Sequence, residues 1–219
     1  MVTAAYAAAV TQPPPGVLAW AFEQPKRWSH AQNQWVKAFS RFSVGTHEAL
    51  ARAALASDRG HRYGYEHVRA VNPSCVAFDV DCTVPCDGAP TDSPHAAAAA
   101  RLGLCFSNLV ALGDGMLEPI LQALEARLPA LRGAATLQCT AHGPEPEDGV
   151  YKYSFHVKYP GFKLSTQEAR TRFGQRLRAL GLDPLVDVSV YSANPLLRLL
   201  GRAKRGSTRV LVPRGAGAA

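Results

Sequence analysis

Residues 74–81, Ser-Cys-Val-Ala-Phe-Asp-Val-Asp, decide the fold, because they form a nearly continuous apolar run that ends in two acids. Such a run predicts a central strand of a sheet. Asp79 and Asp81 are two residues apart, so both side chains leave the same face of this strand. The end of the strand is therefore the first place in the sequence where we expect chemistry.

Helical sequence is predicted in two places after this strand. A serine followed by a proline supplies an N-cap and a first-turn proline for a helical stretch over residues 93–131, which is interrupted near residues 113–115. Ser165 and Glu168 form a capping box that opens a second helix, and Gly181 ends it. A further short helix is expected from Thr46.

Alternating apolar and polar residues predict the remaining strands, which are residues 35–42, 135–141, 150–159, 186–190 and 196–212. The polar turn 143–149 joins two of them into a hairpin. The strands and helices together predict an α+β fold, with helices packed on mixed or antiparallel sheets.

The sequence also suggests where the folded domain begins and ends. Residues 1–34 contain three consecutive prolines and no clear periodicity, so we expect a loosely structured lead-in segment. Residues 35–212 are expected to form one domain, and residues 213–219 a flexible tail.

The composition is that of a globular protein, with 219 residues of which 47% are hydrophobic and 19% charged. No stretch approaches about 18 uninterrupted apolar residues, and the alanine-rich start lacks a basic region, so we expect neither a membrane span nor a signal peptide. The five cysteines, Cys82 and Cys86 included, lack the spacing of a zinc site. We therefore expect reduced, buried thiols in a soluble intracellular protein.

Positive charge is concentrated toward the end of the chain. Residues 151–219 hold 13 of the 24 lysines and arginines but only three of the 17 acids, a net charge of +10 against +7 for the whole chain. A basic region of this kind predicts a polyanionic partner, although a solvated basic face remains the alternative.

Asp79 and Asp81 suggest a metal site, since two bare carboxylates about 4 Å apart repel by roughly 4 kcal/mol at an effective dielectric of about 20. A divalent cation would relieve that repulsion; a simple cap on the next loop is the alternative.

Lys152, Ser154 and His156 repeat the period of two on another strand. A row of three donors suits a triphosphate, and a solvent-facing polar edge is the alternative.

A third acid, Asp187, precedes Val188-Ser189-Val190-Tyr191 and is positioned to complete a three-carboxylate cluster around two metals. Asn194, Arg198 and Lys204 follow in a basic stretch. In this order, the three groups of residues resemble the three motifs of the archaeo-eukaryotic primase superfamily, and most closely its primase-polymerase (PrimPol-like) branch, which includes viral members. The resemblance covers roughly residues 35–212.

The resemblance implies a primase-like catalytic core with an RRM-like catalytic half. It also implies a role for each matching residue. Asp79, Asp81 and Asp187 would hold two Mg²⁺ or Mn²⁺ ions. The residues that would contact the phosphates of the incoming nucleotide are Lys152, Ser154, His156, Arg198 and Lys204, with Asn194 lining the substrate. Pro195 and Leu196 depart from the family, whose members carry a basic and then a polar residue after this asparagine.

The implied activity is template-directed nucleotidyl transfer from NTPs or dNTPs by a DNA primase or DNA-directed polymerase. The implied partners are a single-stranded DNA template, a primer and nucleoside triphosphates, with a replicative helicase as a further partner, in the nucleus, a mitochondrion or a viral replication site. Two alternatives remain. One is a metal-dependent phosphodiesterase, and the other is a catalytically silent relative that only binds nucleic acid.

Overall fold

The computed structural model describes residues 18–29, 31–45, 64–67, 73–86, 93–145, 149–192, 196–198, 200–204 and 207–214. The chain divides into two compact units. The first consists of residues 1–72 and 193–211, and the second of residues 73–192 and 212–219. Residues 35–212, which the sequence suggests are one domain, contribute to both.

The fold is α+β, as predicted. The strands are β1 (Leu18–Ser29), β2 (Gln34–Gly45), β3 (Gly64–His67), β4 (Ser74–Pro85), β5 (Leu137–Thr140), β6 (Gly143–Glu145), β7 (Val150–Leu164), β8 (Leu196–Arg198) and β9 (Val212–Pro213). The α-helices are α1 (Pro94–Arg101), α2 (Phe106–Ala111), α3 (Leu117–Arg127) and α4 (Gln167–Ala179). Short 3₁₀ helices cover Gly113–Met116, Pro129–Leu131 and Val188–Tyr191.

The first unit contains a four-stranded sheet in the order β2-β1-β3-β8, and its described pairings are all antiparallel. The expectation of a loosely structured lead-in is wrong for residues 18–29, because they form β1, which pairs with β2 on one side and β3 on the other. The register of β1 shifts between Gln24 and Arg27, around Pro25. A proline lacks an N–H and is tolerated in a strand at such an irregularity.

The second unit contains an antiparallel sheet in the order β4-β7-β5-β9, with β6 also paired to β7. One face of β4 is buried from Val76 to Val84 at every second residue. Phe155 and Val157 of β7 lie on this same face, and both are fully buried. Helical side chains complete this core, among them Leu117, Ile120, Leu124 and Leu177. The opposite face of β4 and β7 carries the polar residues.

The helix boundaries follow local capping chemistry. Ser93 caps α1 by accepting a hydrogen bond from the Ala96 N–H at 3.1 Å, as predicted. The N-cap of α4 is Thr166 rather than Ser165, because the Thr166 hydroxyl accepts from the Ala169 N–H at 3.1 Å. The short helix expected from Thr46 lies outside the described residues.

The strand predicted over residues 186–190 is replaced by a single β-bridge and a 3₁₀ helix. Val186 bridges to Val80, and residues 188–191 then turn. Tyr191 fixes this turn against β4, since its hydroxyl accepts from the Ala77 N–H at 2.9 Å. Gly174 of α4 makes room for this tyrosine, because a Cβ at that position would lie 2.8 Å from the Tyr191 Cβ.

The cysteines are free thiols, but they are not all buried. Cys82 is fully buried in the core, whereas Cys86 and Cys105 are exposed. Burial raises the pKa of the Cys82 thiol to about 12, with a smaller contribution from Asp81. None of the helices in the described part of the chain has the length and hydrophobicity needed to cross a membrane.

Candidate functional site

The two polar motifs lie side by side on one face of the sheet in the second unit. In the antiparallel register of β4 and β7, Asp79 is directly opposite His156, and Asp81 is opposite Ser154. Thr83 is opposite Lys152. Because directly opposite residues of an antiparallel pair share a face, the acids and the three donors form one polar surface. We call these five residues, the two acids and three donors, the β4/β7 row.

Each acid of the β4/β7 row faces a basic side chain. The Lys152 ammonium lies 2.6 Å from Asp81 Oδ2, with each side chain 17% exposed. His156 Nε2 lies 3.5 Å from Asp79 Oδ1. Ser154 is the most deeply buried residue of the row and is 1% exposed. The Lys152 ammonium therefore neutralises the Asp81 carboxylate, and a protonated His156 would do the same for Asp79; both basic side chains keep some access to solvent.

Asp187 lies on the other side of β4. Its N–H donates to the Asp79 carbonyl at 2.8 Å, and the Asp81 N–H donates to the Leu185 carbonyl at 3.1 Å. With the bridge between Val80 and Val186, these bonds place Asp187 opposite Asp79 in an antiparallel register. Two segments that are distant from β4 in sequence, β7 and residues 185–187, therefore lie on either side of the two acids.

The Asp187 side chain also has a local structural role. Its Oδ1 accepts a hydrogen bond from the Ser189 N–H at 2.8 Å and so caps the 3₁₀ helix Val188–Tyr191. This is the capping chemistry that aspartate supplies at helix N-termini. One carboxylate oxygen is committed to the cap, which leaves Oδ2 as the atom to consider as a ligand.

The donor chemistry of the three acids fits Mg²⁺ or Mn²⁺, which prefer carboxylate oxygens. Within the described residues, however, no three side chains among His, Cys, Asp and Glu are grouped closely enough to hold a metal ion. Lys152 lies 2.6 Å from Asp81, and His156 lies 3.5 Å from Asp79. A cation would take the place of the Lys152 ammonium on Asp81.

His95, on the first turn of α1, is a residue that the sequence did not single out. Burial lowers the pKa of this imidazole below its ordinary value; Asp81 raises that pKa, Lys152 lowers it, and Asp183 raises it. The His95 ring stacks on Phe106 with centroids 6.4 Å apart. The lowered pKa favours the neutral imidazole, and only the tertiary fold brings His95 within electrostatic range of the β4/β7 row.

His142 is a second such residue. Its Nδ1 accepts a hydrogen bond from the Ser154 N–H at 2.9 Å, and its ring packs edge-on against Phe155 with centroids 4.5 Å apart. His142 lies between β5 and β6, in a segment that the sequence predicts to be the edge of a turn. No local pattern indicated that its side chain contacts the backbone of the β4/β7 row.

The remaining predicted site residues belong to the first unit. Arg198 is 7% exposed, and its Nη1 donates to the Arg209 carbonyl at 3.2 Å. Lys204 is half-buried, and its carbonyl accepts from the Ser207 N–H at 3.0 Å. Asn194 lies outside the described residues. The structure therefore brings together five of the predicted donors and acids in the β4/β7 row, with Asp187 beside it.

In comparison with known proteins, no family model matches this chain, and no curated protein is significantly similar to it.

Proposed function

We propose that this chain is the catalytic core of a primase-polymerase, a template-directed nucleotidyl transferase that adds nucleotides from NTPs or dNTPs to a growing strand. The observation that carries the proposal is the register of β4 and β7, with Asp187 hydrogen-bonded beside them. Residues of three motifs, which span 108 positions from Asp79 to Asp187, meet at one sheet. An antiparallel sheet with its core on one face is also what a primase-like core with an RRM-like catalytic half requires.

The β4/β7 row would bind the incoming triphosphate. Lys152 and His156 are the accessible donors, and phosphate oxygens accept charge-assisted hydrogen bonds from both. The Ser154 hydroxyl lies deeper, between them. When a triphosphate binds, Lys152 and His156 turn from the carboxylates to the phosphates, and the carboxylates become available as ligands.

Asp79, Asp81 and Asp187 would hold the two ions. When bound, two Mg²⁺ or Mn²⁺ ions lower the pKa of the primer 3′-hydroxyl and neutralise the departing pyrophosphate. The protein contributes alignment, because the rigid register of β4 fixes the spacing of two of the acids and the 3₁₀ cap fixes the third. The 3′-hydroxyl would lose its proton to solvent and its oxygen would attack the α-phosphorus. The bond from the α-phosphorus to the oxygen that bridges it to the β-phosphorus would break, and pyrophosphate would leave with that oxygen.

The exposed side of α4 would contact the template and primer. Arg172, Arg176 and Arg178 are exposed on this helix, and Lys163 is exposed near the end of β7. Arg172 forms a surface ion pair with Glu168 at 2.5 Å, which a polyanion can displace at little cost. Arg172 and Arg176, one turn apart, share a face of the helix, and exposed arginines bind phosphates without reading bases. A replicative helicase as partner rests on the resemblance alone.

A primer-template extension assay tests the proposal. Purified protein is incubated with Mn²⁺ or Mg²⁺ and with dNTPs or NTPs, with and without primer, and released pyrophosphate is measured beside strand length. We expect extension coupled to one pyrophosphate per added nucleotide. Release of nucleoside monophosphates from the strand would instead indicate a phosphodiesterase. Strand binding without turnover would indicate a silent relative.

A further inference from the structure

Residues 212–214 are held in the second unit by the pairing of β9 with β5 and by the side chain of Arg214. Arg214, which lies in the tail that the sequence predicts to be flexible, follows β9, and its side chain is 17% exposed. Its Nε donates to Asp114 Oδ2 at 3.0 Å, and its Nη2 donates to Glu118 Oε2 and to the Asp114 carbonyl, both at 2.9 Å. Its Nη1 donates to Gln138 Oε1 at 2.9 Å. A guanidinium with this many partners has a fixed position.

Asp114 connects Arg214 to His142, because its carboxylate contacts both side chains. Asp114 Oδ1 lies 2.8 Å from His142 Nε2, while Asp114 Oδ2 accepts from Arg214. Partial burial raises the pKa of Asp114, but hydrogen bonds from His142 and Arg214 lower it by more, so the carboxylate is held ionised. Asp114 is 54% exposed, and without Arg214 solvent would compete for both of its oxygens.

His142 in turn holds the backbone of Ser154. Between β5 and β6, the Ala141 N–H donates to the Ser154 carbonyl at 2.9 Å, and His142 Nδ1 accepts from the Ser154 N–H at 2.9 Å. A side chain thus replaces the carbonyl that a continuous ladder would supply. Since Nδ1 accepts, the proton of the neutral ring is on Nε2, where it is donated to Asp114.

We propose that Arg214, Asp114 and His142 form a hydrogen-bonded relay that positions Ser154, and with it Lys152 and His156, for the incoming triphosphate. The relay rests on the proposed function for its catalytic consequence, but its effect on the Ser154 amide does not depend on any activity. These are positioning residues, because none of them lies in the β4/β7 row itself. The inference gives Arg214 a role in the site.

Two substitutions of His142 separate positioning from packing. His142→Asn keeps an acceptor at the δ position for the Ser154 N–H but loses the contact with Asp114. His142→Gln keeps a donor at the ε position for Asp114 but loses the δ acceptor. Arg214→Gln removes the outer end of the relay. Arg132→Gln is the matched control, because Arg132 is an exposed arginine of the same unit outside the relay.

The first measurement is hydrogen exchange at the Ser154 amide, followed by NMR. We expect exchange to be about fivefold faster in His142→Gln, the change that corresponds to one neutral hydrogen bond. Exchange should rise less in His142→Asn and Arg214→Gln, and not at all in Arg132→Gln. Equal acceleration in both His142 variants would mean that the ring acts only by packing, and unchanged exchange in Arg214→Gln would remove Arg214 from the relay.

The second measurement is the KM for nucleotide in the extension assay. We expect His142→Gln and Arg214→Gln to raise KM severalfold with a smaller effect on kcat. The residues of the β4/β7 row are all retained in these variants, but the backbone of Ser154 is held less firmly in place. An unchanged KM beside accelerated Ser154 exchange would overturn the link to the triphosphate. If the wild-type protein transfers no nucleotides, the proposed function fails, while the exchange data still decide whether the relay exists.

Discussion

In the proposed mechanism a divalent cation would replace the Lys152 ammonium on Asp81, and Lys152→Met tests this part of the proposal. The substitution leaves the Asp81 carboxylate, 17% exposed, without the partner at 2.6 Å and with Asp79 two residues away on the same face. A charge-assisted hydrogen bond in this setting stabilises by about 2 kcal/mol. We therefore expect the variant to be less stable than the wild type in chelator, by about 4–8 °C in Tm for a chain of this size.

Added Mn²⁺ should reverse the difference. In the wild type the cation must displace an ammonium from Asp81, whereas in Lys152→Met that ammonium is gone, so the variant should gain more stability from the ion. Thermal unfolding followed by circular dichroism, with EDTA and with Mn²⁺, measures both effects. Lys163→Met, an exposed lysine on the same strand, is the control. Equal Tm values for Lys152→Met and the wild type in EDTA, or no additional response to Mn²⁺, would refute the reasoning.

Three further outcomes are expected. Gly174→Ala should destabilise the second unit by about 1–3 kcal/mol through overpacking, because the new Cβ would lie 2.8 Å from Tyr191 Cβ. The control is Gly161→Ala, whose new Cβ meets nothing within 4 Å and should leave the free energy of unfolding in urea unchanged. The pKa of His95 is lowered in the folded protein, so its contribution to stability is present above about pH 6.5 and is lost as the pH falls toward the folded pKa. His95→Leu should therefore flatten this part of the profile of stability against pH. An unchanged profile would contradict the assigned role of His95. Replacing Arg172, Arg176 and Arg178 together by Gln should reduce the salt dependence of single-stranded DNA binding by about 2–3 in the slope of log K against log salt, measured by fluorescence anisotropy; an unchanged slope would move the binding face elsewhere.

The sequence was most informative where the periodicity was strong and local. The apolar run at residues 74–81 predicted β4, and alternation over residues 150–159 predicted β7, which extends to Leu164. The two-residue spacing correctly predicted which side chains share a face within each strand. A strand's own sequence does not encode its partner, so the pairing of Asp79 with His156 came only from the structure.

Local patterns failed where tertiary contacts decide the conformation. Residues 18–29 lack a clear alternation, yet pairing on both sides makes them a strand. Residues 188–191 have strand-like composition, but the Asp187 cap and the Tyr191 contact with Ala77 select a 3₁₀ turn instead. The contribution of His142 follows from a gap between β5 and β6, which no spacing in the sequence reveals.

The role of the three acids is the center of the proposed mechanism, and extension by amide variants tests it most directly. Asp79→Asn, Asp81→Asn and Asp187→Asn are each assayed on a primer-template with Mg²⁺ and with Mn²⁺, after circular dichroism has established that they fold. Glu168→Gln, an exposed acid outside the β4/β7 row, is the control. We expect each of the three variants to lose nucleotide addition while still binding the template, and the control to retain it, because each variant removes one carboxylate ligand. Near-normal extension by one variant would remove that residue from the site, and extension by all three would contradict the primase-polymerase proposal.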